Sequence, residues 1–300
     1  MKFNIGFIGV GLMGHGVAKN ILKNGFSLTI MGHKRREPIL DLVNRGAQEV
    51  KTISSLMQKS EVVFLCLPSS VEVESIIYGN DGILENCKSD MILVDCTTAD
   101  PNVTAKIATS LAEKGVSMLD APLGRTPIEA EEGKLSTYVG GDKNIIKMVR
   151  PILECYTDTI IETGALGTGT TSKLVNNFIS IGNCAVIAEA FATASKLGID
   201  LGKLNEVISA GGANSAMFQM MIPWILEGDD SKLKGPLRIA GKDIRTYTKI
   251  AENAPATAFI AQAVNQIYQL ANIQGHSEKF MPVLPGILAK LNGSKIRDFE

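Results

Sequence analysis

The chain has 300 residues, which corresponds to about two domains. Hydrophobic residues make up 45% and charged residues 20%, a composition typical of proteins that fold around a core. Thirty basic and thirty-one acidic side chains give a formal net charge of -1, and aromatic residues are only 5%. This charge balance and the scarcity of aromatic residues weigh against binding to nucleic acid.

The cysteines and the N-terminal residues indicate the cellular compartment of the protein. The five cysteines are scattered without a Cys-x-x-Cys pair, so we expect no disulfide framework, no zinc site and no other metal centre. The opening residues MKFNIGFIGVG are too few for a signal-peptide core. No stretch approaches 18 uninterrupted apolar residues. We therefore expect a soluble cytoplasmic protein with no membrane partner.

Short apolar strands alternate with helical patterns in the first part of the chain. The predicted strands are Asn4–Val10, Ser27–Met31, Val62–Leu67, Met91–Asp95, Ser117–Ala121 and Ser136–Val139. The predicted helices between the first of these are Met13–Asn24 and Pro38–Arg45. Continuous apolar strands separated by helices indicate a parallel sheet that is covered on both faces. This is the doubly wound α/β class, and we assign it to residues 1–164.

A glycine-rich break at 164–169 separates this part from a helical one. The predicted helices that follow are Thr170–Leu197, Lys203–Ala210, Ala216–Leu226, Lys234–Asn253, Ala256–Asn272 and Val283–Leu291. We therefore predict a second, all-helical domain over residues 165–300, for substrate binding and oligomerisation, with a long helix between the domains.

The turn after the first predicted strand has the pattern of a dinucleotide-binding Rossmann domain. Gly9, Gly11 and Gly14 form Gly-x-Gly-x-x-Gly, and Leu12 and Met13 complete the turn. The glycines permit a tight turn, a close approach of backbone to a pyrophosphate, and close packing of helix on sheet. The helix N-terminus favours the phosphate charge. A glycine turn without a ligand is the alternative.

The end of the second strand bears on the choice of dinucleotide. A carboxylate there favours NAD, because it accepts hydrogen bonds from the ribose 2′-hydroxyl. This chain has His33, Lys34, Arg35 and Arg36 instead, with no carboxylate before Glu37. The basic cluster is suited to a 2′-phosphate, so NADP is preferred and NAD is the alternative. A solvated cluster with NAD held elsewhere also fits the sequence.

A carbonyl reductase needs a proton donor beside the developing alkoxide. The three histidines, at 15, 33 and 276, are poorly placed for this role, so lysine is the next candidate. Lys173 lies near the start of the long predicted helix, with Asn177 and Ser180 on the same face and Asn176 at its edge. This polar group on an apolar helix predicts a site, and a solvent-facing stripe is the alternative.

The order of these motifs resembles that of the β-hydroxyacid dehydrogenase family. The motifs are the glycine turn, Asp-Ala-Pro at 120–122, Gly-x-Gly-x-x-x-Lys-x-x-Asn-Asn at 167–177, and Lys242-Asp243. The resemblance spans about residues 4–290. It implies an NAD(P)-dependent enzyme of the type of 3-hydroxyisobutyrate dehydrogenase or tartronate semialdehyde reductase.

The resemblance also implies roles for individual residues. It identifies Lys173 with the catalytic lysine and Asn177 with an asparagine that orients the substrate. Lys242 corresponds to a lysine that reaches the cofactor and substrate from the second domain. The positions that border the nicotinamide half of the cofactor correspond to Leu67, Pro68 and Thr97.

One segment departs from the family pattern. The family usually continues Asp-Ala-Pro with Val-Ser-Gly-Gly, which binds the substrate carboxylate, whereas this chain has Gly124, Arg125 and Thr126 after a leucine. An arginine offers several donors to a carboxylate, sulfonate or phosphate, so we predict that this segment binds an anion. The variant is similar to that of 3-sulfolactaldehyde reductases, as are the Asn-Asn pair and Ser180. An interdomain salt bridge is the alternative role for Arg125.

We expect reversible hydride transfer between a nicotinamide cofactor and a small anionic acid that carries an aldehyde or a primary alcohol. A 3-sulfolactaldehyde reductase-like activity is preferred. The alternatives are dehydrogenases of 3-hydroxyisobutyrate, of glycerate or tartronate semialdehyde, or of threonate. A non-catalytic dinucleotide sensor is the alternative from another class.

The helical domain carries an apolar stripe. Its residues are Met217, Phe218, Met220, Met221 and Trp224. Such a stripe serves either as an oligomer interface or as intramolecular core. The family resemblance implies a homodimer or homotetramer.

Overall fold

The computed structural model describes residues 3–32 and 35–298. The chain packs as two compact units, the first ending at Lys173 and the second beginning at Leu174. The boundary expected between residues 164 and 165 stays a prediction.

The first unit contains a nine-stranded sheet and eight helices within the described residues. The strands are β1 (Asn4–Ile8), β2 (Ser27–Met31), β3 (Gln48–Val50), β4 (Val62–Leu65), β5 (Ile92–Asp95), β6 (Ser117–Asp120), β7 (Leu123–Gly124), β8 (Leu135–Gly140) and β9 (Thr157–Gly164). The helices are α1 (Gly14–Lys23), α2 (Arg36–Asn44), α3 (Ile53–Gln58), α4 (Ser70–Tyr78), α5 (Ile83–Asn86), α6 (Pro101–Ala112), α7 (Pro127–Glu132) and α8 (Lys143–Leu153).

The main part of the sheet is parallel, in the order β3-β2-β1-β4-β5-β6. The chain runs outward from β1 to β3 and resumes beyond β1 at β4, so a topological switch point lies between β1 and β4. Along β4, Val62 and Phe64 belong to one core while Val63 and Leu65 belong to another. Because successive side chains point to opposite faces, both faces are covered. The doubly wound α/β prediction is confirmed.

The sheet is not parallel throughout. Strand β8 pairs antiparallel with β6 and β7, and parallel with β9. The cause is the connection between β7 and β8, which is only about ten residues long, whereas a parallel crossover needs a dozen or more. The predicted strand Ser136–Val139 is therefore present but runs antiparallel to β6 and β7.

The second unit is built from helices. They are α9 (Thr168–Lys196), whose first turns lie in the first unit, α10 (Leu201–Ser209), α11 (Ala216–Glu227), α12 (Leu237–Asn253), α13 (Phe259–Ile273) and α14 (Leu284–Leu291), with a short 3-10 helix at Met281–Val283. All six predicted helical segments are present with shifted ends. Phe191, Phe218 and Tyr268 are fully buried in the core of this unit.

The apolar stripe on α11 belongs to this core. Phe218, Met221 and Trp224 are buried, and Met217 and Met220 pack against them. The stripe is therefore intramolecular core, and it gives no support to an oligomer interface.

Helix α9 is 29 residues long and passes, by length and composition alone, as a membrane-spanning helix. Buried core helices pass the same test. Its residues Cys184, Ala188 and Phe191 lie in the core of the second unit.

Seven of the fourteen α-helices in the described residues begin at a side chain that accepts a backbone hydrogen bond from the first turn. Asp100 does so for α6, Asp142 for α8, Asp200 for α10 and Ser215 for α11. Helix α1 is among the helices without such a cap: within the described residues no side chain caps its N-terminus, and its first turn has no acidic residue. This N-terminus is consequently suited to an external anion.

Candidate active site

The turn between β1 and α1 admits only glycine at two positions. Gly9 has φ +105°, and a Cβ there would collide with the carbonyl oxygen of Cys66. A Cβ on Gly14 would collide with the carbonyl oxygen of Gly9. The first and third glycines of the motif are therefore required by the fold itself.

Gly11 is different, because a Cβ there would meet no atom within 4 Å. Packing does not require glycine at this position, so its small size leaves space beside the uncapped N-terminus of α1. Leu12 is exposed, and Met13 is the residue from which α1 starts. This open cradle fits a pyrophosphate group held by backbone N–H groups.

The loops after β4 and β5 meet this turn at the carboxyl ends of the strands. Cys66 N–H donates to the carbonyl of Ile8 at 3.0 Å, and Leu67 N–H donates to Thr97 Oγ1 at 3.0 Å. The Thr97 N–H in turn donates to Asp95 Oδ1 at 2.9 Å. Leu67, next to Pro68, and Thr97 thus lie at the same edge as the glycine turn, where ligands bind in this fold.

The predicted basic cluster is only partly described. His33 and Lys34 lie outside the described residues, and Arg35 immediately precedes α2. Arg36 donates from Nη1 to Glu49 Oε1 at 2.6 Å and from Nη2 to Glu49 Oε2 at 2.9 Å. These hydrogen bonds lower the pKa of Glu49. Glu49 lies on β3, and the sequence analysis did not identify it.

Asp120, of the Asp-Ala-Pro motif, sets the start of the helix that carries Lys173. Its Oδ1 accepts from Gly167 N–H at 2.7 Å and its Oδ2 accepts from Thr170 N–H at 2.6 Å. Burial raises the pKa of Asp120, and the backbone donors oppose that rise. This carboxyl is therefore a structural cap for α9, next to the predicted site.

Arg125 has an unusual backbone and several partners of its own. Its φ is +75°, in the left-handed region that side chains other than glycine rarely adopt. Its Nη1 donates to Asp158 Oδ2 at 2.6 Å and to the carbonyl of Lys134. Both partners lie in the first unit, so Arg125 forms an ion pair within one unit.

The residues on either side of Arg125 serve the local fold. A Cβ on Gly124 would collide with Ser136 Oγ. Thr126 caps α7 in a capping box, in which its N–H donates to Glu129 Oε2 at 3.0 Å and its hydroxyl accepts from Ile128 N–H at 3.3 Å. The Thr126 hydroxyl also donates to Glu129.

Lys173 and Asn177 lie one turn apart on α9, as their spacing predicts. Lys173 is half-buried, Asn176 is exposed, and the Ser180 hydroxyl donates to the carbonyl of Asn176 at 3.1 Å. The Asn176 and Asn177 side chains are 3.5 Å apart, from Nδ2 to Oδ1.

Asp243 joins two of the predicted residues in the second unit. Asn177 Nδ2 donates to Asp243 Oδ2 at 2.7 Å, and Lys242 Nζ lies 2.7 Å from Asp243 Oδ1. Asp243 is 4% exposed. The sequence analysis noted the Lys-Asp pair but assigned a role only to the lysine. Asp243 could have been found as an acidic residue on the apolar face of α12, next to Ala240, Gly241 and Ile244, which are also buried.

The predicted residues thus fall into two groups. The first unit holds Gly9, Gly11, Leu12, Met13, Gly14, Arg35, Arg36, Leu67, Pro68, Thr97, Gly124, Arg125, Thr126 and Lys173, and the second holds Asn176, Asn177, Ser180 and Lys242. Over residues 3–32 and 35–298, no group of three or more His, Cys, Asp or Glu side chains is placed to hold a metal ion.

Family models match both parts of the chain. Residues 4–164 match the NAD binding domain of 6-phosphogluconate dehydrogenase. Residues 167–282 match the NAD-binding domain of NADP-dependent 3-hydroxyisobutyrate dehydrogenase.

Individual proteins agree with these matches. A 3-hydroxyisobutyrate dehydrogenase of Pseudomonas aeruginosa is 34% identical over 74% of this chain and 74% of its own. A 3-sulfolactaldehyde reductase of Escherichia coli is 29% identical over 92% of each chain. The crystal structure of a 3-hydroxyisobutyrate dehydrogenase from Salmonella typhimurium shares the fold, with a TM-score of 0.85 and 21% identity, covering 95% of this chain and all of that one. The chain is therefore an NAD(P)-dependent oxidoreductase that belongs to the β-hydroxyacid dehydrogenase family.

Proposed function

We propose that the protein reversibly reduces a small aldehyde acid to the corresponding primary alcohol. The observation that carries this proposal is the group around Asp243, whose buried carboxylate accepts a hydrogen bond from Asn177 and forms an ion pair with Lys242. Lys173 lies one turn before Asn177 on the same helix. Polar side chains fixed in this way are suited to orienting a small polar substrate for reaction.

Lys173 transfers the proton in this proposal. Its Nζ gives a proton to the carbonyl oxygen during reduction and accepts the hydroxyl proton during oxidation. When bound, the nicotinamide group supplies or accepts the hydride. Asn177, with Asn176 and Ser180, orients the substrate and the lysine, and Lys242 adds positive charge for an anionic substrate.

The segment Gly124-Arg125-Thr126 anchors the substrate anion. The Arg125 guanidinium has five N–H donors, so its hydrogen bonds to Asp158, to the Lys134 carbonyl and to Thr159 still leave donors for a carboxylate or sulfonate. The Thr126 N–H is already used by Glu129. The cation of Arg125 consequently carries most of the recognition in this segment.

The preferred substrate class is the sulfonated aldehyde. The support is the Gly-Arg-Thr sequence at 124–126 together with the 29% identity to a 3-sulfolactaldehyde reductase over 92% of the chain. The alternative is a hydroxy acid such as 3-hydroxyisobutyrate, favoured by the 34% identity to a dehydrogenase of that name.

NADP(H) is the preferred cofactor in this proposal, and NAD(H) is the alternative. The support is the basic run from His33 to Arg36. A family model described for an NADP-dependent dehydrogenase also matches the second part of the chain.

Steady-state kinetics with NADH and NADPH on a panel of short aldehyde acids tests the proposal. We expect kcat/KM for sulfolactaldehyde to exceed that for succinic and tartronate semialdehydes by at least about tenfold, since a tenfold ratio needs only about 1.4 kcal/mol. Equal values would refute the sulfonate preference. Dinucleotide binding without turnover of any panel member would favour a sensor instead.

The proposal extends to a cytoplasmic homodimer or homotetramer. The five cysteines are free, which supports a reducing compartment. Val175, Ile179 and Val186 are exposed apolar residues on α9, which supports an interface on that helix. Light scattering coupled to size-exclusion chromatography tests the assembly, and a monomer would refute it.

A further inference from the structure

A carboxylate from β3 occupies the space at the end of β2. Gly32 follows β2 directly, and its N–H lies 3.3 Å from the carbonyl of Val50 on β3. A Cβ on Gly32 would collide with Oε1 of Glu49. Glu49 pairs with Ile30 of β2. Gly32 has no side chain, and the carboxylate of Glu49 therefore occupies the space beside it at the end of β2.

The guanidinium of Arg36 also lies beside Gly32, at the end of β2. It forms two parallel hydrogen bonds to Glu49, at 2.6 and 2.9 Å. A Cβ on Gly32 would lie 2.9 Å from Arg36 Nη1, so both charged groups adjoin the Gly32 backbone. Arg36 is 51% exposed and Glu49 27% exposed at the side chain, which leaves both groups accessible to a ligand.

These two charges have opposite preferences among dinucleotides. In this fold a carboxylate at the end of the second strand accepts hydrogen bonds from the ribose 2′-hydroxyl of NAD(H), and an arginine nearby accommodates the 2′-phosphate of NADP(H). A carboxylate beside a phosphate is unfavourable, because like charges repel. A guanidinium paired with a carboxylate also has fewer donors available for the phosphate.

We propose that Glu49 and Arg36 together set the dinucleotide preference, with Glu49 restraining Arg36 so that a 2′-phosphate must compete for its guanidinium. Glu49 then keeps the site accessible to NAD(H), although the surrounding run of residues is basic. The inference rests on the proposed binding of a nicotinamide dinucleotide and is independent of the substrate.

Equilibrium binding to the Glu49→Gln variant tests the inference without substrate. The dissociation constants of NADPH and NADH are measured by fluorescence titration at one ionic strength. We expect NADPH to bind about tenfold more tightly than to the wild type, since two charge-assisted donors are released. NADH is expected to bind equally or more weakly. An unchanged ratio of the two constants, or a shift toward NADH, would overturn the inference.

Arg36→Gln and the double variant identify the group that Glu49 restrains. Arg36→Gln alone should shift the ratio toward NADH, and the NADPH gain of Glu49→Gln should be absent when Arg36 is also changed. A gain that persists in the double variant would overturn the role of Arg36. The matched control is Glu162→Gln, which removes a carboxylate of β9 that pairs with Arg150 of α8. Strand β9 is not a neighbour of β2 in the sheet, so this variant should leave the ratio unchanged.

These outcomes are separable from failure of the proposed function. If no aldehyde acid is turned over, the proposed substrate class fails while the binding ratio still tests the Glu49–Arg36 pair. If turnover is as proposed and the ratio does not move, only the inference fails.

Discussion

Two turns in the first unit each lead from a strand into a helix, and they are built in opposite ways. After β1, the positive φ falls on Gly9, and among the described residues no side chain caps α1. After β7, the positive φ falls on Arg125, and a capping box between Thr126 and Glu129 closes the start of α7. The first turn leaves backbone donors for a ligand, whereas the second uses its donors within the protein.

The difference indicates how each turn can bind an anion. At the glycine turn the binding groups are backbone N–H groups, so the sequence needs only residues small enough to expose them. At the second turn the available group is the Arg125 side chain. The two are connected through their helices, because Asn20 of α1 donates to the carbonyl of Ala130 of α7 at 2.9 Å.

Substitutions in the glycine turn should have the largest effect on dinucleotide binding. Gly9→Ala forces a strained φ and a collision with Cys66, so we expect lower stability by about 1–3 kcal/mol and loss of dinucleotide binding. Gly11→Ala meets no protein atom, so we expect an unchanged melting temperature but dinucleotide affinity about tenfold weaker, which corresponds to about 1.4 kcal/mol.

The matched control for these variants is Gly212→Ala, where a Cβ also meets no atom within 4 Å. It should change neither property. If Gly11→Ala binds dinucleotides as tightly as the wild type, the turn is not the phosphate site.

Arg125 should affect the substrate rather than the dinucleotide. Arg125→Ala removes the cation, so we expect KM for the aldehyde acid to rise about tenfold with a smaller change in kcat, as for an interaction worth about 1.4 kcal/mol in both substrate and transition state. Arg125→Gly should raise KM equally but be more stable than the alanine variant by about 1 kcal/mol, because glycine tolerates the left-handed φ.

Asp158→Asn is the control, since it removes the ion-pair partner and leaves the cation in place. A normal KM in Arg125→Ala would place the anion anchor elsewhere.

The capping box at the second turn should matter for stability and not for dinucleotide binding. Thr126→Ala removes the side chain that caps α7, and we expect the free energy of unfolding to fall by about 1 kcal/mol. Urea denaturation measures the change, and Thr126→Ser should restore it. Dinucleotide affinity should not move, and a loss of affinity would mean that the two turns act together.

The contact between the helices of the two turns should depend weakly on pH. Hydrogen bonds from Arg45 lower the pKa of Asp41. Burial raises the pKa of Glu131, but the hydrogen bonds from His15 and Lys19 lower it by more than burial raises it. The pKa of Glu131 therefore lies below its ordinary value. Carboxyls with a lowered pKa in the folded state stabilise it above their unfolded pKa, and this stability is lost as the pH falls.

We therefore expect the free energy of unfolding to decrease as the pH drops below the ordinary Glu value of 4.5, with a smaller decrease in Glu131→Gln. Urea denaturation at a series of pH values measures this. Glu132→Gln, whose carboxylate pairs with Lys134 at the surface, is the control. Equal pH dependence in both variants would contradict the role of Glu131.

The parts of the fold that could be predicted are those with a local pattern. β1, β2, β4 and β5 are largely buried, and the sequence analysis found them all. β3 is only three residues long, and β9 has only one buried residue among its eight, so neither has an apolar run that indicates a strand. The antiparallel pairing of β8 depends on a connection length and a partner strand, which periodicity does not show.

The same distinction applies to the candidate site. The glycine turn and the Lys173–Asn177 spacing are local, so their geometry follows from the strand–turn–helix pattern and the helix repeat. The carboxylates that hold the predicted side chains come from elsewhere in the chain. Asp243 is 66 positions from Asn177 and Asp158 is 33 positions from Arg125, and such pairings arise only when the chain folds.

The role of Lys173 is the central claim, and the kcat of Lys173→Ala tests it most directly. Loss of the proton donor should lower kcat by about 100- to 10,000-fold, while the dissociation constant of NADPH stays near that of the wild type. Lys196→Ala, at the other end of the same helix, should change neither value. A kcat for Lys173→Ala close to that of the wild type would contradict the account.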